Sequence, residues 1–409
     1  MKKVDVVVIG AGLNGLIAAL ALGGKQALRP LTVTIIDQFD PKRFATANYD
    51  SRASALTRAT QTMFGVLGIW PAVKDHAQDM TDIIVTDADG KNSKSSLLNF
   101  ASAETGQPPA AMVENHHLFA AALAEIEKSP HIELMSGQSL TDISFGPGLA
   151  QVTLASGEVV KASLVVGADG RNSWTRGKAG LKLTGWDYPH SALTLTIGHE
   201  LAHGGQAEEH FTPNGVFAVL PLKGNRSSLV WTEPHDEAKR IHGLSEAEFM
   251  AALQLKFGSH RGKLELLSAR HVYPLSMKLA DAMTGPRLAL LGDAAHVIHP
   301  LAGLGLNLGF KDAAALADCV HDALTSGQDI GGDASLERYK SWRRFDTVST
   351  AYLLDGLNKL FSNDNLALRV LRDAGLKMVD ISPPLKSFFM KEAAGQSGNL
   401  PSLMRGLVA

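Results

Sequence analysis

The sequence predicts an α/β protein in which a mainly antiparallel β-sheet domain interrupts a domain built on a parallel sheet. The β-branched run Val4–Ile9 is typical of a buried parallel strand, and a glycine-rich turn and a helix-forming stretch follow it. Over residues 185–272 short alternating runs are separated by prolines, which indicates antiparallel strands. Leu288–Leu291 returns to the pattern of a buried strand, and residues 336–378 predict a helical C-terminal part.

The individual elements follow from hydrophobic periodicity and turn residues. Val4–Ile9, the helix after it and the strand Leu31–Asp37 form a β-α-β unit. Further helices are predicted at Ser54–Leu67, Asn115–Lys128, Ser245–Phe257 and Leu306–Thr325. Short strands are predicted at Ile132–Met135, Leu140–Ser144, Gln151–Leu154, Glu158–Val160, Leu164–Val166, Ala192–Ile197, Gly215–Leu220 and Ser227–Thr232.

These elements divide the chain into alternating parts of two domains and a tail. The parallel-sheet domain takes residues 1–75, 111–184 and 273–330. The interrupting domain takes residues 76–110 and 185–272, and residues 331–409 form the C-terminal helical region.

Composition excludes several classes of protein. Hydrophobic residues make up 45% and charged residues 20% of the chain, which is typical of a globular protein. Lys and Arg number 39 against 41 Asp and Glu, so no basic excess favours nucleic acid as a partner. The single cysteine, Cys319, excludes an internal disulfide and a multi-cysteine metal site. A reducing, cytoplasmic location fits this composition.

The apolar run Val6–Gly24 resembles a signal peptide or membrane anchor in length. Asp5 stands at its start, Asn14 lies within it, and five glycines interrupt it. We therefore favour a strand, a turn and a helix over one continuous span.

His199-Glu200-Leu201-Ala202-His203 matches the zinc-peptidase pattern, which requires a helix to bring both histidines to one face. The preceding residues Ala192–Ile197 alternate like a strand, and glycines flank the motif. On an extended chain we expect the two histidines to point in different directions. No metal site is predicted, and a zinc peptidase is kept only as an alternative.

Gly10-Ala11-Gly12-Leu13-Asn14-Gly15 is a G-x-G-x-x-G sequence between a predicted strand and helix. Gly10 permits the tight turn, Gly12 lets backbone approach a pyrophosphate, and Gly15 lets the helix pack on the strand. Asp37 ends the next strand, where a carboxylate accepts hydrogen bonds from a ribose. The context predicts a Rossmann-like dinucleotide-binding domain.

Two more segments bear on which dinucleotide binds. Asp50–Leu56 places Arg52 just before a predicted helix. Gly292–Asn307 follows a strand and precedes a helix, so Asp293 can meet a ribityl or ribose hydroxyl. Gly303 and Gly305 allow backbone to approach a flat ring, and the N–H groups of Leu306 and Asn307 face an anionic ring oxygen.

With these segments in order, the chain resembles the class A flavoprotein monooxygenases, and within them the aromatic hydroxylases of ubiquinone biosynthesis. Gly167-Ala168-Asp169-Gly170, Ala207–Pro213 and Val219–Leu222 extend the resemblance, which spans about residues 4–320 and also touches the tail at 395–406. It implies an FAD/NAD(P)-binding fold with FAD as cofactor and NADPH or NADH as an electron donor.

The resemblance also assigns residues by position. Gly10, Gly12, Gly15 and Asp37 would hold the adenosine half of FAD, with Arg52, Asn115, Asp169 and Gly170 near the cofactor. Asp293 would bind the ribityl or pyrophosphate region, and Gly303, Gly305, Leu306 and Asn307 the flavin ring. Leu304 departs from the glutamine usual in the family, which removes a side-chain contact. Leu13-Asn14 replaces the usual Pro-Ala, which we expect to be harmless.

The residues that would line a substrate pocket are less well defined. The sheet residues Phe217, Leu220, Pro221 and Trp231 either form a pocket wall or belong to ordinary core packing, and Pro300 lies beside the predicted ring site. His190, His210 and His299 are candidate bases for a phenol, and none is compelling from sequence. The catalytic residues are therefore left unassigned.

The implied reaction is hydroxylation of a polyprenylated phenol by O₂ through a flavin hydroperoxide. The implied setting is the inner face of a membrane, with other ubiquinone-biosynthesis proteins as partners. Phe388-Phe389-Met390 in the tail are the candidate residues for peripheral contact. Alternatives are a hydroxylase of another small aromatic compound, a non-catalytic prenyl-binding module on the same fold and an NAD-linked dehydrogenase. The hydroxylated carbon, the donor and the oligomeric state stay open.

Overall fold

The computed structural model describes residues 2–46, 52–88, 94–102, 106–212, 214–300, 303–361, 382 and 394–408. Its strands are β1 (Lys2–Ile9), β2 (Val33–Asp37), β3 (Ala53–Thr57), β4 (Gln78–Met80), β5 (Asp82–Ala88), β6 (Lys94–Ala101), β7 (Ala110–Glu114), β8 (Ile132–Ser136), β9 (Leu140–Phe145), β10 (Ala150–Leu154), β11 (Val159–Gly167), β12 (Leu183–His199), β13 (Gln206–Thr212), β14 (Gly215–Leu222), β15 (Arg226–Pro234), β16 (Leu264–Leu266), β17 (His271–Ala280), β18 (Thr284–Gly285), β19 (Leu288–Leu290) and β20 (His296–Val297). Its helices are α1 (Leu13–Gly23), α2 (Arg58–Val66), α3 (Trp70–Val73), α4 (Asn115–Glu127), α5 (Trp174–Lys178), α6 (His235–His242), α7 (Glu246–Phe257), α8 (Leu304–Thr325) and α9 (Asp333–Phe361).

An eight-stranded sheet has β1 at its centre, and its main path runs β18-β19-β11-β1-β2-β8. The pairs that β1 makes with β11 and β2 are parallel. Val6, Val7 and Val8 of β1 are fully buried, as expected of a strand covered on both faces. α1 packs against α8, so residues from both ends of the chain share this core.

Two local predictions were wrong. We expected separate strands at Glu158–Val160 and Leu164–Val166, but β11 is continuous because Lys161 and Ala162 between them pair with β1. We expected a helix from Ser54, but Ala53–Thr57 is a strand that pairs with β7. The helix begins only at Arg58, where the Thr57 hydroxyl accepts a hydrogen bond from Thr60 N–H.

A nine-stranded, mainly antiparallel sheet forms the second unit, with the order β20-β17-β12-β15-β14-β13-β5-β6 and with β16 beside β12. β5 joins β13 in parallel, so the earlier segment completes this sheet. The boundary predicted at residue 272 is too early, because β17 and β20 also belong to this sheet. α6 and α7 cover one of its faces.

α9 links the two sheets. Near its start the Tyr339 hydroxyl donates to Leu290 O at 2.9 Å, at the parallel sheet. Further along, Ala351 and Leu354 pack against the antiparallel sheet. The part of the predicted helical range after residue 361 lies outside the described residues. The predicted fold class, an α/β fold with an interrupting antiparallel sheet, is confirmed.

Candidate functional site

The glycine turn between β1 and α1 combines two closed positions with an open one. Gly10 has φ +104°, and a Cβ built on it would lie 2.5 Å from Ala168 O. A Cβ on Gly15 would lie 1.9 Å from Gly10 O. Around Gly12, by contrast, a Cβ would meet nothing within 4 Å. The turn therefore fixes its own backbone at Gly10 and Gly15 and leaves space beside Gly12, at the start of α1.

Asp37 lies at the end of β2 beside this turn. Its carboxylate accepts hydrogen bonds from Ala11 N–H at 2.7 Å and from Phe39 N–H at 2.8 Å. The carboxylate is thus held at the carboxyl edge of the parallel sheet, where open α/β sheets bind ligands.

The segment around residue 292 lies directly against the start of α1. A Cβ on Gly292 would lie 2.1 Å from Asn14 Nδ2, and one on Gly309 would lie 2.5 Å from the same atom. Asn14 is therefore accommodated by two glycines. From the sequence we expected Asn14 only to be harmless and did not predict this contact. Its Oδ1 is buried and has no hydrogen-bond partner among the described residues.

A buried ionic network that the sequence did not reveal holds the turn at Gly292. Asp312 accepts hydrogen bonds from Gly292 N–H at 3.1 Å, from His296 Nε2 at 2.6 Å and from Arg343 Nε at 2.8 Å. Burial raises the pKa of Asp312, but His296 and Arg343 outweigh it and keep that pKa below its usual value. Asp293, next in the turn, is exposed.

Gly303 precedes α8 in a left-handed conformation with φ 62°, and the helix begins at Leu304, two residues before the predicted start at Leu306. The Asn307 side chain accepts from Thr57 N–H at 3.1 Å and donates to Ala55 O at 2.7 Å. Its amide thus fastens α8 to β3. The first-turn backbone N–H groups, including those of Gly305 and Leu306, have no intrahelical acceptor.

The remaining predicted contacts fall into two groups. Arg52 and Asn115 are neighbours, since Asn115 N–H donates to Arg52 O at 2.9 Å and Asn115 Oδ1 accepts from Ser54 at 2.7 Å. Asp169 instead caps α5, because its carboxylate accepts from Thr175 N–H at 2.9 Å and from the Ser173 hydroxyl. Gly170, at φ +80°, has open space around it.

Comparison with known proteins identifies what these segments belong to. Residues 3–347 match the family model described as an FAD binding domain. The chain is 38% identical to "Ubiquinone hydroxylase UbiL" of Rhodospirillum rubrum, over 99% of this chain and 94% of that protein. It is 33% identical to "3-demethoxyubiquinol 3-hydroxylase" of Escherichia coli, over 96% of this chain and 99% of that protein. This chain belongs to the FAD-dependent monooxygenases of the ubiquinone-hydroxylase family.

The family resemblance read from the sequence is thereby confirmed, together with a flavoprotein monooxygenase as the type of enzyme. A solved structure of p-nitrophenol 4-monooxygenase from Pseudomonas putida shares the fold, with a TM-score of 0.78 and 19% identity. That similarity covers 98% of this chain and 100% of the other.

The residues present fit FAD. The open side of Gly12, the start of α1 and the Asp37 carboxylate suit a pyrophosphate and a ribose. Asn14 Oδ1 adds a buried oxygen without a partner among the described residues, close to the same turn. The first turn of α8 provides N–H groups for an anionic ring edge.

Strand alternation separates the residues predicted to line the substrate pocket. Phe217 and Trp231 are buried with Phe249 and Phe257 of α7, on the face of the antiparallel sheet turned towards the helices. Pro221 shares the parity of Phe217 along β14. Phe217 and Trp231 therefore pack in the core, which is one of the two alternatives that the sequence left open, and Pro221 shares their face.

Leu220 lies on the opposite face, with Ala218 and Val230. This face packs against Ile298 and Leu304, next to the predicted ring site. Leu304 thus has an apolar environment. Pro300 is exposed just before Gly303, whose N–H donates to Pro300 O at 3.0 Å.

Polar groups at the edge of this face distinguish the candidate bases. The Tyr188 hydroxyl donates to Asp355 Oδ1 at 2.7 Å, and the His299 ring stands edge-on to Tyr188 with centroids 5.1 Å apart. Burial, with help from nearby His190, lowers the pKa of His299 to about 4, so its imidazole is neutral at pH 7. Burial and Asp355 raise the pKa of Tyr188, which stays protonated.

The other candidate bases are placed differently. His210 lies across the sheet, hydrogen-bonded to Thr86 at 2.6 Å and Glu208 at 3.0 Å, and its ring stacks near Phe217. Burial lowers the pKa of His190, which is only partly buried. Of the three histidines, His299 is the one whose ring contacts Tyr188, in the cluster that includes Ile298.

The zinc-peptidase pattern has a structural explanation. The prediction that His199 and His203 point apart was wrong, because their rings approach to 5.6 Å between centroids. Both nitrogens of each ring are engaged, however, with Leu201 O and Ser227 for His199 and with Leu222 O and Gly205 N–H for His203. Among the described residues no cluster of three ligands for a metal is found.

Proposed function

We propose that this flavoprotein hydroxylates the aromatic ring of a polyprenylated phenol in ubiquinone biosynthesis. The names of the relatives support the reaction and the substrate class. The observation that carries the proposal is the convergence of separate segments around one place. Residues 10–15 contact 292 and 309, and residues 303–307 contact 55–60.

We assign the cofactor contacts to the backbone of that place. Gly10, Gly12, Gly15 and Asp37 hold the adenosine half of FAD, while Arg52, Asn115 and Gly170 border it. Asp293 meets the middle of the cofactor, and Gly303, Gly305, Leu306 and Asn307 hold its ring through backbone groups. For Asp169 we retain only a positioning role, through its cap on α5. When bound, FAD supplies the electrons to O₂ and the transfer of oxygen to the ring.

The chain's own residues orient the ring and keep water away. Leu220, Val230, Ile298 and Leu304 form an apolar wall against which an aromatic ring packs. Tyr188 is fixed by Asp355 and stays protonated, so its hydroxyl oxygen accepts a hydrogen bond from the phenol. Neutral His299 next to it places no positive charge beside the phenol ring, which becomes electron-poor as it takes up the oxygen atom.

The test combines a spectrum with product analysis. The purified full-length protein should be yellow with bound FAD and should consume NADPH or NADH and O₂ in the presence of a prenylated phenol. Heavy-isotope oxygen from O₂ should enter the product ring, and its position identifies the hydroxylated carbon. Protein that is colourless and takes up no added FAD contradicts the proposal.

A hydroxylase of a small aromatic compound without an isoprenoid chain is the second candidate, favoured by the fold shared with p-nitrophenol 4-monooxygenase. Turnover of simple phenols at rates equal to those of prenylated phenols would favour it. Lipid binding without oxygen consumption would instead favour a non-catalytic prenyl-binding module. Our proposal also includes NADPH or NADH as the electron donor, partner proteins of ubiquinone biosynthesis and contact with the inner face of the membrane.

A further inference from the structure

The second half of α9 exposes large apolar side chains on one side. Phe345 is 81% exposed, Tyr352 55% and Leu353 46%. Their spacing of seven and eight residues places them on a single stripe of the helix. The opposite side of the helix is the one that packs on the antiparallel sheet, through Ala351 and Leu354. The stripe therefore faces away from the core.

The charged side chains on this half of α9 are also divided between its inner and outer sides. Its acidic residues point inwards, because Asp346 pairs with Lys311 at 2.8 Å and Asp355 pairs with Tyr188 and Lys359. Arg344 is exposed beside Phe345, and the Lys359 side chain is 61% exposed at the other end of the stripe. The outward surface thus combines aromatic and aliphatic groups with cationic ends, which is the composition of helices that lie in a lipid interface.

A groove opens next to this stripe. It has a volume of about 400 Å³ and lies between α9 and the strands β12 and β17. Its walls include Trp186, Met277, Leu279 and Val348, and Arg344 and Tyr352 also line it. Met277, Trp186 and Leu279 belong to the same apolar cluster as Tyr188 and Ile298. The residues that line the groove therefore pack in one cluster with Ile298, which also borders the surface to which we assign the phenol ring.

We propose that the outer stripe of α9 docks on an anionic bilayer surface and that the adjoining groove receives the isoprenoid chain of the substrate. The inference rests on the proposed function for the identity of the chain in the groove, whereas the docking rests on the stripe itself. The apolar residues enter the lipid interface, and the cationic ends meet the headgroups. Phe388-Phe389-Met390, which the sequence suggested for this contact, lie outside the described residues.

Vesicle flotation tests the docking. The FAD-loaded full-length protein is mixed with vesicles of equal parts phosphatidylcholine and phosphatidylglycerol. We expect the combined variant Phe345→Ser, Leu353→Ser to lower partitioning by about tenfold or more. The matched control is Leu255→Ser on α7, which removes a side chain that is 88% exposed and should leave partitioning unchanged. Vesicles of phosphatidylcholine alone should bind the unmodified protein more weakly.

Two readouts separate docking from folding and from catalysis. FAD content and turnover of a phenol with one isoprene unit in water should be unchanged in the Phe345→Ser, Leu353→Ser variant, while turnover of a long-chain phenol in vesicles should fall. A Val348→Trp variant, which narrows the groove, should slow long-chain phenols more than short ones.

Several outcomes would overturn the proposal. Partitioning of the double variant equal to that of the unmodified protein would do so. A stripe that instead joins two copies of the chain would also overturn it. Sedimentation would then detect a dimer that is lost in the double variant, and no lipid binding would be found. If no phenol of any length is hydroxylated while the variant still loses vesicle binding, the proposed function fails and the docking stands.

Discussion

The two sides of the site are built in different ways. On the cofactor side, backbone geometry decides: a Cβ on Gly10 or Gly15 has no room, and one on Gly12 has nothing near it. On the substrate side, side chains determine the shape of the site, and adjacent residues of one strand face opposite sides of the sheet. Phe217 packs under α7, while Ala218 faces Leu304. A site formed by backbone can be recognised from a short sequence motif. A wall of side chains depends on which alternate residues of a strand face inwards.

The largest loss of stability is expected in the buried ionic network that holds the turn at Gly292 on the cofactor side. Asp312→Ala removes one of the two carboxylates that pair with buried Arg343, leaves only Asp346 as its partner and frees Gly292 N–H, so we expect a loss of about 3 kcal/mol in the free energy of unfolding. Asp322→Ala, on the same helix, is the control, because its pair with Arg338 is about half exposed on both sides. We expect less than about 1 kcal/mol there. Urea denaturation with bound FAD measures both, and equal losses would contradict the role of Asp312.

This network illustrates what the sequence could not supply. Asp312 and Arg343 lie 31 residues apart on two helices, and no local pattern pairs a helical aspartate with a distant arginine. The glycine turn and Asp37 were predictable because their geometry is local to one β-α-β unit. β3 was mistaken for a helix because its pairing with β7 joins residues more than fifty positions apart, which outweighs local propensity.

A pH-dependent effect is expected at the junction of the two sides. The pKa of His299 is about 4 in the folded protein, against an ordinary value of 6.5. The unfolded chain therefore binds a proton between these values when the folded chain does not, and stability falls as pH drops from about 6.5 to 4. At about 1.4 kcal/mol per pKa unit the contribution approaches about 3 kcal/mol.

His299→Asn should remove this part of the acid sensitivity. The difference in unfolding free energy between pH 7 and pH 4.5 should be smaller in the variant than in the unmodified protein. His131→Asn, at an exposed histidine, provides the comparison. If both variants show the same pH dependence as the unmodified protein, His299 is not kept neutral by burial.

The glycine turn offers a matched pair. Gly15→Ala forces a Cβ to 1.9 Å from Gly10 O, so backbone must shift, and we expect about 1–3 kcal/mol of destabilisation and loss of FAD. Gly12→Ala places its Cβ in open space, so the fold should keep its stability while FAD binds more weakly. Thermal unfolding without added FAD, compared with FAD titration, separates the two. Equal loss of stability in both variants would remove the distinction between closed and open positions.

On the substrate side, a pair of neighbouring residues tests directly which face of β14 forms the wall. Leu220→Ala shortens a half-buried side chain on the face towards Leu304, so we expect about 1 kcal/mol of destabilisation but a fall in kcat/KM of about tenfold or more. Val219→Ala, one residue earlier, removes buried atoms under α7 and should cost more stability, about 2 kcal/mol, with kcat/KM nearly unchanged. Sequence alone could not assign these faces, because every residue of Gly215–Val219 is buried and no alternation of polar residues marks the inner side. If Val219→Ala lowers kcat/KM as much as Leu220→Ala does, the wall is not defined by parity, and the ring binds elsewhere than on the face beside Leu304.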